Sequence, residues 1–236
     1  MRQILKDGAK AMGMNLSERQ LEQLQLYYEL LVKGNERMNL TAITEPEEVA
    51  RRHFLDSMAG AAALKAGASV IDVGTGAGFP GLVLQIVRED IRVTLLDALQ
   101  KRITFLEETV QALGLADKVV CFHGRAEEDA HKPELREQFD VAVARAVAPL
   151  PVLLEYCGGF VKVHGLFLAY KGPSLAEEMT EAEGAMRRLQ LQHRQSLWAE
   201  GLGEGYEHLV AVFEKTGKWG LQYPRKQSKI KQSKLV

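Results

Sequence analysis

An aspartate and three alternating glycines, Asp72-Val73-Gly74-Thr75-Gly76-Ala77-Gly78, lead directly into Phe79-Pro80-Gly81. The β-branched run Val70, Ile71 and Val73 predicts a buried strand, and the glycines break it. Beyond Gly81, the apolar positions Leu82, Leu84, Ile86 and Val87 predict a helix. Strand, glycine turn and helix in that order form the first crossover of a nucleotide-binding α/β sheet. Residues without a Cβ let the backbone approach a ligand closely, and the helix that follows offers free amides to the same space. Gly76-Ala77-Gly78-Phe79-Pro80-Gly81 satisfies the dinucleotide fingerprint, while a second frame begins at the acidic Asp72. A turn that merely joins strand to helix is the third reading.

Three further segments would reach the same sheet edge. The predicted second strand, Ile91 to Leu96, ends in Asp97, about 20 residues past the glycines, where an acid can accept hydrogen bonds from ribose hydroxyls. Asp97 also suits the cap of the next helix, whose apolar face is Ile103, Leu106, Val110 and Leu113. A third strand, Val119 to His123, opens into a loop with Ala126 and Glu127, and a fourth, Phe139 to Ala144, delivers Arg145. An arginine just past a buried strand must meet a carboxylate, a phosphate or a substrate. A salt bridge to an acid of the first helices is the structural alternative.

The elements that position these residues are legible around them. Ser17-Glu18-Arg19-Gln20 is a capping box, with Leu21, Leu24, Tyr28 and Leu31 at helical spacing and Gly34-Asn35 as the expected stop. Thr44-Glu45-Pro46-Glu47 starts another helix, which carries Arg51, Arg52, His53, Asp56 and Ser57. His53 and Asp56, three apart, share a face and can hydrogen-bond to each other. A helix continues through Val152 to Tyr156, a fifth strand runs from Gly165 to Tyr170 and ends in Lys171, and a charged helix spans 174–192. Gln195 to Trp198 and Leu209 to Phe213 then close the sheet as a locally antiparallel pair, because a parallel pair needs a crossover.

Composition narrows the class. The chain has 236 residues, 46% hydrophobic and 26% charged, as in an ordinary globular protein. No stretch is clean enough to span a bilayer, and Met1 to Asp7 lacks the apolar core of a signal peptide. Cys121 and Cys157 sit in apolar surroundings and form no disulfide framework, so a reducing cytoplasm is expected. The net charge of −1 hides a basic end, with Arg225, Lys226, Lys229, Lys231 and Lys234 and no acid among them. Such an end suits a polyanion or simply a solvated tail.

The frame beginning at Asp72 resembles the first motif of class I S-adenosyl-L-methionine-dependent methyltransferases, whose sheet also ends in an antiparallel strand. An amine-methylating Asp/Asn-Pro-Pro-aromatic motif is missing from Ala144-Arg145-Ala146-Val147-Ala148-Pro149, and neither cysteine is placed as a nucleophile. What remains is an acceptor that needs little activation, such as N7 of guanine. Asn39-Leu40-Thr41, His53-Phe54-Leu55-Asp56-Ser57, the segment Asp72 to Gly81, Ala144-Arg145-Ala146 and Lys171-Gly172 together look like the bacterial RsmG (GidB) family, from about residue 17 to 225. That resemblance implies methylation of N7 of one guanine in small-subunit ribosomal RNA.

It also implies a Rossmann-like α/β fold, a mostly parallel seven-stranded sheet with an antiparallel last strand and a helical amino-terminal extension. The expected division is 1–63 for that extension, 64–222 for the methyltransferase domain and 223–236 for the basic tail. The candidate cofactor residues are Asp72, Gly74, Gly76, Gly78, Phe79, Asp97, Ala98, Leu99, Ala126, Glu127 and Arg145. Asn39, His53, Asp56, Ser57 and Lys171, with Arg145, are the candidates on the acceptor side. Arg37, Arg51, Arg52 and the tail are expected to hold RNA phosphates. Ribosomal RNA or the small subunit is the expected partner, the protein a monomer, with no metal, DNA or membrane involved. A nicotinamide-dependent oxidoreductase and a non-catalytic RNA-binding protein are the alternatives.

Overall fold

Strand β1 (Ser69–Val73) is buried at four of its five positions, so it reads as an apolar run and not as an alternating one. The computed structural model, which describes residues 1–199, 201–203, 205–233 and 235 (at 231 the backbone only), places this strand inside a seven-stranded sheet. The other strands are β2 (Arg92–Asp97), β3 (Val119–His123), β4 (Phe139–Arg145), β5 (Val161–Lys171), β6 (Leu191–Trp198) and β7 (Leu209–Lys215). Their order is β3-β2-β1-β4-β5-β7-β6. The first five are parallel to one another, and β7 runs antiparallel to both β5 and β6. Strand order reverses between β1 and β4, which opens a crevice at the carboxyl ends of those strands.

Successive residues of each strand feed opposite faces. Val70, Leu95, Val143, Leu168 and Val212 pack with α1 (Arg2–Ala11) and α2 (Glu18–Met38) in one buried cluster. Ile71, Leu96, Ala142, Phe167 and Ala211 pack on the other face with α8 (Leu150–Gly158) and α9 (Leu175–Arg188). The amino-terminal helices thus share one core with the sheet. Helices α5 (Gly81–Val87), α6 (Gln100–Ala112) and α7 (Ala126–Asp129) follow β1, β2 and β3.

Four sequence expectations need correction here. Helix α2 does not stop at Gly34-Asn35 but runs to Met38, and Asn39 ends it in the left-handed region with φ 48°. Gly34 is a packing residue: a Cβ there would lie 2.8 Å from the Phe105 ring of α6. The buried tyrosine of α2 is Tyr27, with Tyr28 only half-buried, its hydroxyl donating to Thr44 O at 3.1 Å. The second helix is α3 (Pro46–Val49), a π-helical turn (Ala50–Leu55) and α4 (Asp56–Met58) in succession. Finally, α9 ends at Arg188, and β6 already begins at Leu191, after Gln190 takes φ 49°. Among the described residues, no helix is long and apolar enough to cross a membrane.

Candidate cofactor and acceptor site

The glycine turn is pulled onto the end of β2, because the N–H groups of Gly74 and Thr75 both donate to Leu96 O, at 2.8 and 3.0 Å. Gly74 has φ 72°, and a Cβ there would come within 2.7 Å of Val147 in the loop after β4. Gly78, at φ 106°, leaves no space for a Cβ beside the Tyr27 hydroxyl. That hydroxyl donates to Ala77 O at 2.6 Å, and the Tyr27 ring stacks on Phe79 at 5.3 Å. Helix α2 therefore clamps the turn from the side. Sequence periodicity missed this because it pointed to Tyr28.

Asp72 lies beneath the turn. Its Oδ2 accepts from the Thr75 hydroxyl and the Gly81 N–H, each at 2.7 Å, while Oδ1 is buried without a hydrogen-bond partner among the described residues. Burial pushes this carboxyl up to about 6 in spite of both hydrogen bonds. Asp72 braces the turn and does not line the cleft above it.

That cleft encloses about 450 Å³ over the carboxyl ends of β1, β2 and β3. Of the expected cofactor residues, Gly74, Asp97, Ala98, Ala126 and Glu127 line it, with Val147, Ala148 and Pro149 on the far side. Asp97 is buried and fixed by the Gly76 N–H and Leu99 N–H, both at 2.9 Å, and by Arg102 at 3.2 Å. A carboxylate has about four lone-pair sites, so Asp97 keeps capacity for a ligand hydroxyl. Glu127 is also buried, and its Oε1 has no partner among the described residues. An unsatisfied buried carboxylate oxygen costs roughly 1–3 kcal/mol until a donor reaches it. Gly76, Gly78, Phe79 and Leu99 lie outside the lining. Gly76 and Leu99 serve through the amides that hold Asp97, and Leu99 itself is exposed.

Beside the turn, Arg145 organises a second cluster. Its Nη1 donates to Asp56 Oδ2 at 2.7 Å and to Arg52 O at 2.9 Å, and its Nη2 to His53 Nδ1 at 3.2 Å. The salt bridge to an acid of the first helices is thus present. No direct His53–Asp56 hydrogen bond forms; the guanidinium joins the two. The π-helical turn explains the geometry, for the Asp56 N–H reaches back to Arg51 O, five residues away, and widens the spiral between the two side chains.

Nδ1 of His53 lies 3.2 Å from Arg145 Nη2, a donor, and 3.2 Å from Arg52 O, an acceptor, while Nε2 shares a hydrogen bond of 2.9 Å with Thr41 Oγ1. Thr41 Oγ1 also accepts from Ile43 N–H at 3.0 Å. Burial, and then the Arg145 cation, push His53 down to about 4, so the ring is neutral at pH 7. It stacks on Phe79 at 4.6 Å, and the Arg145 guanidinium lies 5.0 Å from the same ring. His208, which sequence reasoning passed over, donates from Nδ1 to Asp56 Oδ1 at 3.0 Å, and the bond raises its pKa. Burial works to raise the Asp56 carboxyl, but His208 and Arg145 hold it below its ordinary value.

The remaining acceptor-side candidates do not join this cluster as equals. Ser57 is buried, with its hydroxyl spent on His53 O and its carbonyl accepting from Tyr170 Oη at 2.8 Å. Lys171 donates to Glu178 at 2.7 Å and to Ala148 O at 3.0 Å, tying down the loop that faces the glycine turn. Asn39 is an exposed helix cap. Of the expected phosphate holders, Arg51 donates to Leu202 O and Arg52 pairs with Glu48 over the Tyr206 ring, while Arg37 is exposed. Arg225 is not a free basic residue, since it is paired with buried Glu155 at 2.9 Å. Lys234 and the Lys231 side chain lie outside the described residues. Both cysteines are packing residues. Burial pushes Cys121 up to about 11 and raises Cys157 well above its ordinary value.

A curated relative from Clostridium perfringens (strain 13 / Type A), named Ribosomal RNA small subunit methyltransferase G, is 43% identical over 98% of this chain and 98% of its own. Its counterpart of the same name in Alkaliphilus metalliredigens is 46% identical over 94% of each chain. In fold, the chain is similar to geranyl diphosphate C-methyltransferase from Streptomyces coelicolor A3(2), solved with S-adenosyl-L-homocysteine. The TM-score is 0.50 at 14% identity, over 64% of this chain and 74% of that one. The architecture is that of class I methyltransferases, and it favours the frame beginning at Asp72 over the dinucleotide one. The model of one family, described as GidB, rRNA small subunit methyltransferase G, matches residues 20–209, and the chain belongs to that family.

Proposed function

We propose that this enzyme transfers the methyl group of S-adenosyl-L-methionine to N7 of a specific guanine in small-subunit ribosomal RNA. The observation that carries the reading is the unsatisfied, buried Glu127 Oε1 in a cleft shared with Asp97 and Gly74. These residues fit the cofactor. Gly74 admits a close approach, Asp97 would take ribose hydroxyls, and Ala126 with Glu127 would take the adenine, its amine reaching Oε1. When bound, the cofactor supplies an electrophilic sulfonium methyl group.

The chain's own residues have little acid–base work to do, because N7 of guanine carries a lone pair and no proton. Their task is alignment and exclusion of water. Neutral His53 and Phe79 present a stacked aromatic wall, and the Asp56–Arg145 pair holds that wall in register with the turn. On Arg145, Nε–H and one Nη2–H have no partner among the described residues and are available to an anionic or carbonyl group. Asn39, Ser57 and Lys171 act on the acceptor side by shaping the backbone around this cluster. In the same reading the protein works as a cytoplasmic monomer on RNA or the small subunit. Residues 1–63 would serve as a helical extension of the 64–222 domain, with 223–236 as its tail.

The test is transfer of tritiated methyl to small-subunit RNA, free and as particles, with the label mapped to N7 of one guanine. Arg145→Ala should lower transfer by about a hundredfold. No label in either form of the substrate overturns the proposal.

A further inference from the structure

The carboxyl-terminal segment is folded against the catalytic sheet and reaches the cofactor cleft. Arg136 Nη1 donates to Tyr223 O at 2.8 Å and its Nη2 to Trp219 O at 3.1 Å, and His131 Nε2 donates to Pro224 O at 2.8 Å. Arg225 then grips Glu155 of α8 with its backbone N–H at 2.7 Å and its guanidinium at 2.9 Å, on a carboxylate that is only 1% exposed. These anchors start helix α10 (Gln227–Gln232), whose Ile230 is buried. Its first residue, Gln227, lines the cleft together with Tyr156 and Glu127. Burial raises the Tyr156 hydroxyl, the Glu127 carboxylate adds to that, and Gln227 opposes it, so the three side chains act on one another.

We infer that Gln227 is a cofactor-binding residue, and that the strap from Trp219 to Gln232 forms the wall of the cleft at its adenine end. The inference rests on the proposed placement of the cofactor. Glu127 can only accept when ionised, so it reads the adenine amine but not a ring nitrogen. A carboxamide both donates and accepts, and it can complete the recognition of the adenine edge that a carboxylate leaves unfinished. An anchor as strong as a buried, forked Arg225–Glu155 pair makes sense for a segment that must present one side chain with precision.

Calorimetric titration of S-adenosyl-L-homocysteine, and separately of adenosine, into wild type and Gln227→Ala reads this directly. One lost hydrogen bond predicts a Kd about fivefold higher for both ligands, by the same factor. The same Kd in wild type and variant overturns the inference. If wild type itself fails to bind S-adenosyl-L-homocysteine, the proposed function falls instead. A second readout uses the wild-type protein alone, because binding and ordering are linked reciprocally. Saturating S-adenosyl-L-homocysteine should slow tryptic cleavage after the exposed Lys226 and Lys229 severalfold. Unchanged cleavage at both sites contradicts the inference, even if Gln227→Ala does not fold.

Discussion

Asp56 and Asp72 are both essentially inaccessible, at 1% and 0% exposure, yet their carboxyls are shifted in opposite directions. Burial acts to raise both. Around Asp56 the contributions of His208 and Arg145 win, and the group stays ionised. Around Asp72 the partners are a hydroxyl and a backbone amide, which are too weak to win, and the group sits near 6. Depth alone therefore says little about a buried acid; the charge of its partners decides. Asp56 is the anionic centre of a cationic cluster, whereas Asp72 is a brace for the glycine turn.

Replacing each aspartate by its neutral isostere breaks this contrast most sharply. Asp56→Asn should cost about 3–5 kcal/mol in urea unfolding, because Arg145 is left buried beside no counter-charge. A loss below about 1 kcal/mol would show that the pair contributes little. The next effect is on pH. His53 has an ordinary pKa of 6.5 and a folded one of about 4, so the unfolded chain takes up its proton first as pH falls. The stability this provides is complete above 6.5 and is lost on descending to about 4, by about 3 kcal/mol at most. Asp72 does the reverse: its folded pKa near 6 lies above the ordinary 3.8, so it adds stability as pH falls through that range. The two slopes oppose each other. His53→Gln should make stability rise towards pH 4, and Asp72→Asn should make it fall more steeply. Parallel shifts in both variants would contradict the assignment.

Smaller effects sharpen the contrast within the cofactor half. Tyr27→Phe removes the bond to Ala77 O and should cost about 1 kcal/mol, together with a weaker grip on the turn and a raised Kd for S-adenosyl-L-homocysteine. Asp72→Asn at pH 7 should not lower stability, because it removes a buried charge while the amide oxygen still accepts from Thr75 and Gly81; a loss above about 1 kcal/mol in urea unfolding would contradict this.

How legible was this in the chain? The sheet was, down to its antiparallel end, because β-branched runs and glycine turns are local signals. The loops that line the cleft were as well, since each follows the end of a strand. Arg145, His53 and Asp56 could be named from position, but their connection could not, because it depends on a π-helical turn that no periodicity marks. His208 and Gln227 stand in a loop and a short helix near the end of the chain, and only tertiary packing brings them to the site. The tail misled for a related reason: its basic composition suggested a free arm, while Glu155 some 70 residues earlier had already claimed Arg225.

In the proposed function the cofactor is held in the cleft of Gly74, Asp97 and Glu127, apart from the Asp56–Arg145 cluster. Calorimetry of S-adenosyl-L-homocysteine with Glu127→Ala tests it most directly. The Kd should lie at least about tenfold above wild type, as expected when a charged acceptor is lost, with the fold intact by circular dichroism. A Kd equal to wild type would place the cofactor elsewhere.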